Sequence, residues 1–213
     1  MSDIGKMIKN YRTLTNKKYR IATNFIIPLA SAAAIRLLVH LGDIWYGLAL
    51  LVFVFVMMAE MMGDYFSFGC ICKKNSFGMN SLKSSFGGMH CFADALLLDI
   101  LVRPFRLAVF AMIVCFPWMG TYLNGWLLFE GIVSLAIISI ASLNVTRYLD
   151  TAYYLMLVSA IFLAPVAGII ALSFFTGVPA DIMAVVLAVL LFLTIVLTYF
   201  HMLMRMKKSY LDV

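Results

Sequence analysis

The sequence predicts an all-α, polytopic membrane protein with six transmembrane helices. Three observations carry that prediction. Of 213 residues, 64% are hydrophobic and 12% are charged, about half the charged share of a soluble domain. The mean hydropathy is +1.02. The apolar residues also fall into separate runs, most near the roughly 20 residues a helix needs to cross a bilayer. Such a composition excludes a soluble enzyme, a nucleic-acid-binding domain and a disordered regulator. The net charge of +6 implies no nucleic-acid partner, because the charges are confined to segments between apolar spans. Four cysteines are too few for a disulfide scaffold.

The whole chain, 1–213, reads as a single transmembrane domain. Residues 1–20 form a basic amphipathic elbow helix. Ile4, Met7, Ile8, Tyr11 and Leu14 follow helical spacing, with Lys6, Lys9, Arg12 and Lys17 mostly off that stripe. Such a helix lies in the membrane interface. Ala30-Ser31-Ala32 resembles a small-residue cleavage site. The basic stretch before it is long for the start of a signal peptide, so the segment is expected to be retained. The first span is Ala22 to His40 and the second Asp43 to Ser67. The third is short, Phe105 to Gly120, with Arg103, Pro104 and Arg106 crowding its start. The fourth is Trp126 to Val145, the fifth Thr151 to Phe175 and the sixth Asp181 to Leu203.

The connections alternate in character. Those near Gly42, at 120–125 and at 176–179 are short and carry no Lys or Arg. The remainder hold 15 of the 16 basic residues, which places both termini in the cytoplasm. Trp45, Trp118 and Trp126 fall at predicted outer ends, where an amphipathic ring suits the headgroup level.

Residues 68–103 form the one long connection and are expected to be cytoplasmic and helical. Phe77, Met79, Leu82 and Phe86 give a short amphipathic piece, stopped by Gly87-Gly88. Met89 to Arg103 reads as a second helix with Phe92, Leu96 and Ile100 on one face. Asp99 and Arg103 stand at i, i+4 and can pair.

Ionisable residues inside spans are functional candidates. Arg36 and Glu130 each lie about one turn below the outer end of a span and could form an outer gate pair. Snorkelling to the headgroups is the alternative. Glu60 and Asp64 share a face near the inner end of span two. They could attract a cationic part of a substrate, or pair with basic residues of the long connection. Met57 and Met61 beside them would add adaptable apolar surface to an inner cavity, or simply pack. Pro28, Pro165 and Gly168 can kink their spans. Cys70, Cys72 and Cys91 match no strong metal spacing and read as reduced thiols. The chain has no phosphate-binding G-x-x-x-x-G-K-[ST] loop and no H-E-x-x-H motif. No cofactor, metal or catalytic residue is expected in this chain.

The layout, with Ser81-Leu82-Lys83-Ser84-Ser85-Phe86-Gly87-Gly88 followed by the helix Phe92–Arg103, resembles the permease subunits of ABC-2-type exporters. It is most similar to small peptide-exporter permeases of the bacteriocin-immunity and phenol-soluble-modulin type. The large outer domain or long outer hairpin of bigger members is missing, which favours a laterally accessed amphipathic peptide. The resemblance implies a multi-pass protein of the bacterial cell membrane, paired with a second permease copy or a paralogue. Asn80, Ser81, Leu82, Lys83, Ser84, Ser85 and Phe86 would dock a separate cytoplasmic ATPase, which would hold the ATP and Mg. A membrane scaffold that transports nothing and an ion-coupled secondary transporter are the alternatives.

Overall fold

A computed structural model describes residues 3–42, 45, 47–49, 51–60, 80, 84, 87–115, 125–146 and 180–211. Every element among them is helical. Helix α1 spans Asp3–Leu14 and α2 Lys17–Ile21. The bend between them is held by polar side chains. The Asn16 side-chain Oδ1 accepts the Lys18 N–H at 3.0 Å, which caps α2. Arg20 donates to the Arg12 carbonyl at 3.3 Å and to the Thr15 hydroxyl at 3.2 Å.

From α2 the chain runs without a break through a π turn, Ala22–Ile26, into α3, Ile27–His40. The cause is Pro28. It has no N–H to donate to Asn24 and its ring crowds that carbonyl. The Ile27 N–H instead reaches the Ala22 carbonyl, one residue farther back than in an α-helix. The expected kink at Pro28 is therefore a π turn. Helix α3 ends where Gly42 turns to φ 114°, a conformation in which a Cβ is strained.

Helix α4 is Gly47–Glu60, within the predicted second span. Helix α5 is Gly88–Cys115, with Pro104 inside it. This corrects the expected break between a cytoplasmic helix ending at Arg103 and a span beginning at Phe105. One continuous helix covers both segments. Its start is set by Gly87, at φ 77°, whose carbonyl accepts the Cys91 N–H at 3.0 Å. Gly88 is thus the first residue of a helix as well as the expected stop of the preceding piece. Helix α6, Gly125–Thr146, matches the fourth predicted span to one residue at each end. Helix α7, Ala180–Leu211, continues eight residues past the predicted end of span six. The predicted fifth span, residues 61–67 of the second, and residues 68–79, 81–83, 85 and 86 of the long connection lie outside the described residues.

Among the described residues, two helices are long and apolar enough to cross a membrane: Ala22–His40, 19 residues with mean hydropathy 1.7, and Asp181–Lys208, 28 residues with mean hydropathy 2.8. Only 17% of the apolar window of the second is buried. Its Val185, Val189, Phe192, Leu197 and Phe200 are exposed, unlike the core helix of a soluble domain.

Helix α5 is the centre of the packing. Its Phe92, Leu96 and Ile100 are fully buried, on the one face expected of them. They meet Tyr11 of α1, Ile140 and Leu143 of α6, and Met202 and Met206 of α7. Its Leu107 packs with Met57 of α4 and with Leu135, Ala136 and Ile138 of α6. Its Phe110 packs with Ala32 and Ile35 of α3 and Ala49 and Val56 of α4, and stacks on Phe53 with centroids 6.3 Å apart. Ala136, Ser134, Ser139 and Ser142 of α6 are buried. Side chains this small let helix backbones approach closely.

The α1 stripe is split by this packing. Tyr11 is buried and Met7 and Leu14 half-buried, whereas Ile4 and Ile8 remain exposed. Asn10 donates to the Asp94 carboxylate at 2.8 Å, so α1 is anchored to α5 by a polar contact as well as an apolar one.

Candidate functional site

Four charged side chains converge where α4, α5, α6 and the π turn meet. Arg103 and Asp99 lie one turn apart on α5, and burial of that face forces both inward. Arg103 is 2% exposed and Asp99 5%. The guanidinium donates from Nε at 3.2 Å and from Nη2 at 3.1 Å, both to Asp99 Oδ2. Its Nη1 donates to the Ser139 hydroxyl at 3.1 Å and lies 3.6 Å from Glu60 Oε1. Ser139 in turn stands 3.5 Å from the same Glu60 oxygen. One turn along α5, Arg106 donates from Nη2 to Glu60 Oε1 and from Nη1 to Asn24 Oδ1. The π turn presents Asn24 to this arginine.

Two carboxylates and two guanidiniums sum to zero charge. That balance is what makes burial tolerable: each ion alone would cost several kcal/mol to desolvate, and each here has an opposite charge within reach. Arg106 Nε is the one buried side-chain polar atom among the described residues without a hydrogen-bond partner.

Tyr11 joins α1 to the network. Its hydroxyl pKa is pushed up to about 12. Burial is the main cause and the nearby Asp99 charge the second. The Arg106 and Arg103 charges and a hydrogen bond with Asn24 act the other way.

A second polar contact links α6 to α7. Asn144 Nδ2 donates to the Ala141 carbonyl at 3.2 Å and to the Thr198 hydroxyl at 3.0 Å. Its carbonyl oxygen is left facing His201 Nδ1 at 2.7 Å. With the amide nitrogen committed to donation, the hydrogen of that last bond belongs to His201 Nδ1.

The residues singled out from sequence are placed as follows. Asp99 and Arg103 pair, as their spacing allows. Glu60 is buried, its carboxylate engaged by Arg106 and Arg103, and with Thr23, Pro28 and Val56 it lines a space of about 10 Å³. Met57 is fully buried against Leu107 and Leu135, in line with the packing alternative. Arg36 is exposed on α3 and Glu130 is buried on α6; no ion pair joins these two. Asn80 and Ser84 are exposed and helical. Asp64, Met61, Ser81, Leu82, Lys83, Ser85 and Phe86 lie outside the described residues, as do Cys70, Cys72 and Trp118. Cys91 and Cys115 are free thiols, and no group of three or more metal-ligating side chains occurs among the described residues. Burial raises the Cys91 thiol pKa, and the neighbouring Asp94 charge adds to it.

Sequence reasoning missed Asn24 and Ser139. It also assigned Arg106 to the cytoplasmic charges. The available signal was polarity inside apolar runs: Asn24 follows the basic segment by a single turn, and Ser139 is flanked by isoleucines. Compared with family models, with curated proteins and with solved structures, this chain matches none of them.

Proposed function

We propose that this chain is the transmembrane permease subunit of an ATP-driven exporter of amphipathic peptides. It has six spans, both termini in the cytoplasm, a second permease copy or paralogue beside it and its ATPase on a separate subunit. The observation that carries the reading is the placement of α5. This helix follows directly on the residue 77–88 segment, receives α1 on its first half, and holds the buried charges Asp99, Arg103 and Arg106 around its middle. A force applied by a partner at that segment reaches the charges through one helix. Switching then needs no chemistry in this chain, only two arrangements of the bundle with different affinity for the partner's nucleotide states.

The charge balance also supports more spans than the two long apolar helices. Asp99, Arg103 and Arg106 make α5 look too polar to cross a bilayer, yet they are neutralised within the bundle, which lowers the cost of placing them there. Gly47–Glu60 and Leu128–Asn144 are apolar helices as well. The same pairing speaks against an ion-coupled transporter, because both Glu60 and Asp99 are already occupied by arginine.

The test is a mild-detergent pull-down of the tagged chain from its native membranes, with mass spectrometry of what accompanies it. A stoichiometric protein carrying a phosphate-binding Gly-rich loop is the expected result, lost when Leu82 and Phe86 are both changed to Asp. Its reproducible absence from a folded chain would replace this reading with a membrane scaffold. Retention in the double variant would remove the 80–86 segment from the docking assignment.

A further inference from the structure

A cavity of about 290 Å³ lies between the π turn and α3 on one side and α5 on the other. Asn24 and Arg106 form its polar lining, and its other walls are apolar side chains including Phe25, Leu29, Val102, Val109 and Ile113. Phe25, Leu29 and Val109 are exposed, so the cavity opens on the apolar outer surface of the bundle.

We infer that this cavity is a lipid site, holding one acyl chain of a bilayer glycerolipid with its ester carbonyl at Arg106. Three observations carry this. First, the Arg106 side chain is 9% exposed, and its Nε–H is a buried donor with no acceptor. An unpaired buried donor is costly, and a small turn of the guanidinium toward an acceptor in the cavity relieves that cost. Secondly, the charges around Arg106 already cancel. A carboxylate or phosphate placed there would leave a buried negative charge, whereas a neutral carbonyl would not. Thirdly, the cavity sits at the small end of the range for ligand pockets and runs along α5 from Val102 to Ile113, roughly 16 Å at the helical rise, with Arg106 within that length. That is space for a length of one chain. Its polar lining lies beside the start of the apolar helix Ala22–His40, the level at which glycerolipid esters sit when that helix crosses a bilayer.

The inference rests on the membrane reading and not on peptide export. Its test is native mass spectrometry of the full chain in detergent, titrated with dioleoyl phosphatidylcholine and with the diether analogue that lacks the carbonyls. One ester lipid is expected to bind about tenfold more tightly than the diether, the size of one buried hydrogen bond. Val109→Trp and, from the facing helix, Leu29→Trp are expected to remove that bound lipid while the helical circular dichroism is retained. Equal binding of ester and ether overturns the carbonyl assignment. Survival of the bound lipid in both tryptophan variants overturns the site. Oleate binding more tightly than the ester overturns the neutral ligand. A chain that leaves membranes without detergent defeats the membrane reading itself, an outcome distinct from these.

Discussion

Replacing Arg103 with Met, a side chain of similar length without charge, leaves Glu60 and Asp99 facing Arg106 alone. The buried charge becomes −1. Two hydrogen bonds to Asp99 and one to Ser139 lose their donor. Breaking a buried pair from one side costs about 3–5 kcal/mol. Asp99→Leu produces the mirror case, a charge of +1, at similar cost. In the double variant the Glu60–Arg106 pair remains and the net charge returns to zero. Replacing a buried pair with packed apolar side chains is neutral or stabilising. The double variant is therefore expected within about 1–2 kcal/mol of wild type, giving a coupling of at least about 3 kcal/mol. Unfolding in mixed micelles by titration with dodecyl sulfate, followed by far-ultraviolet circular dichroism, measures all four corners of the cycle. Additivity within about 0.5 kcal/mol, the behaviour of independent sites, would refute the claim that these charges are buried and mutually dependent.

Tyr11 gives a pH prediction. Its folded pKa of about 12 lies above the ordinary value near 10, so its contribution to stability is whole below pH 10 and lost as pH rises through 12. At about 1.4 kcal/mol per pH unit, that loss is about 3 kcal/mol. The wild-type minus Tyr11→Phe absorbance at 295 nm should rise near pH 12, and a rise near pH 10 would place the ring in solvent. Asn10→Ala removes the bond to Asp94 and should destabilise α1 by about 1 kcal/mol, visible as roughly fivefold faster tryptic cleavage at Lys9 and Arg12; an unchanged rate would mean that the bond holds nothing. Asp94→Asn should lower the Cys91 thiol pKa and speed maleimide labelling at pH 8, in a chain whose other cysteines are Ser.

The parts of this fold that were legible in the sequence obey local rules. Phe92, Leu96 and Ile100 lie on one helical face, and Asp99 pairs with Arg103, because spacing of three and four fixes direction on a helix. Helix α6 was legible because its apolar run begins and ends sharply. The continuity of α5 was not. A proline normally marks a helix end, but at Pro104 the burial of Arg103 on one side and Leu107 on the other overrides that preference. Nor was the rest of the network. Arg106 meets Asn24 across 82 positions and Glu60 across 46, and Arg103 meets Ser139 across 36. No periodicity reports such distances. By composition alone, the two arginines read as charges at the water interface, and only the pairing reveals that they are inside.

Pro104 stands between Arg103 and Arg106. Its missing N–H deletes the hydrogen bond that the Ile100 carbonyl would otherwise accept, so α5 is softest in bending at the level where the charges meet. The two guanidiniums sit on opposite sides of that soft point, and both touch Glu60, which belongs to a different helix. Any change in the curvature of α5 must alter the gap between them and therefore how one carboxylate is divided between two arginines. The cluster is in this sense a strain gauge, converting a mechanical bend into a redistribution of electrostatic contacts.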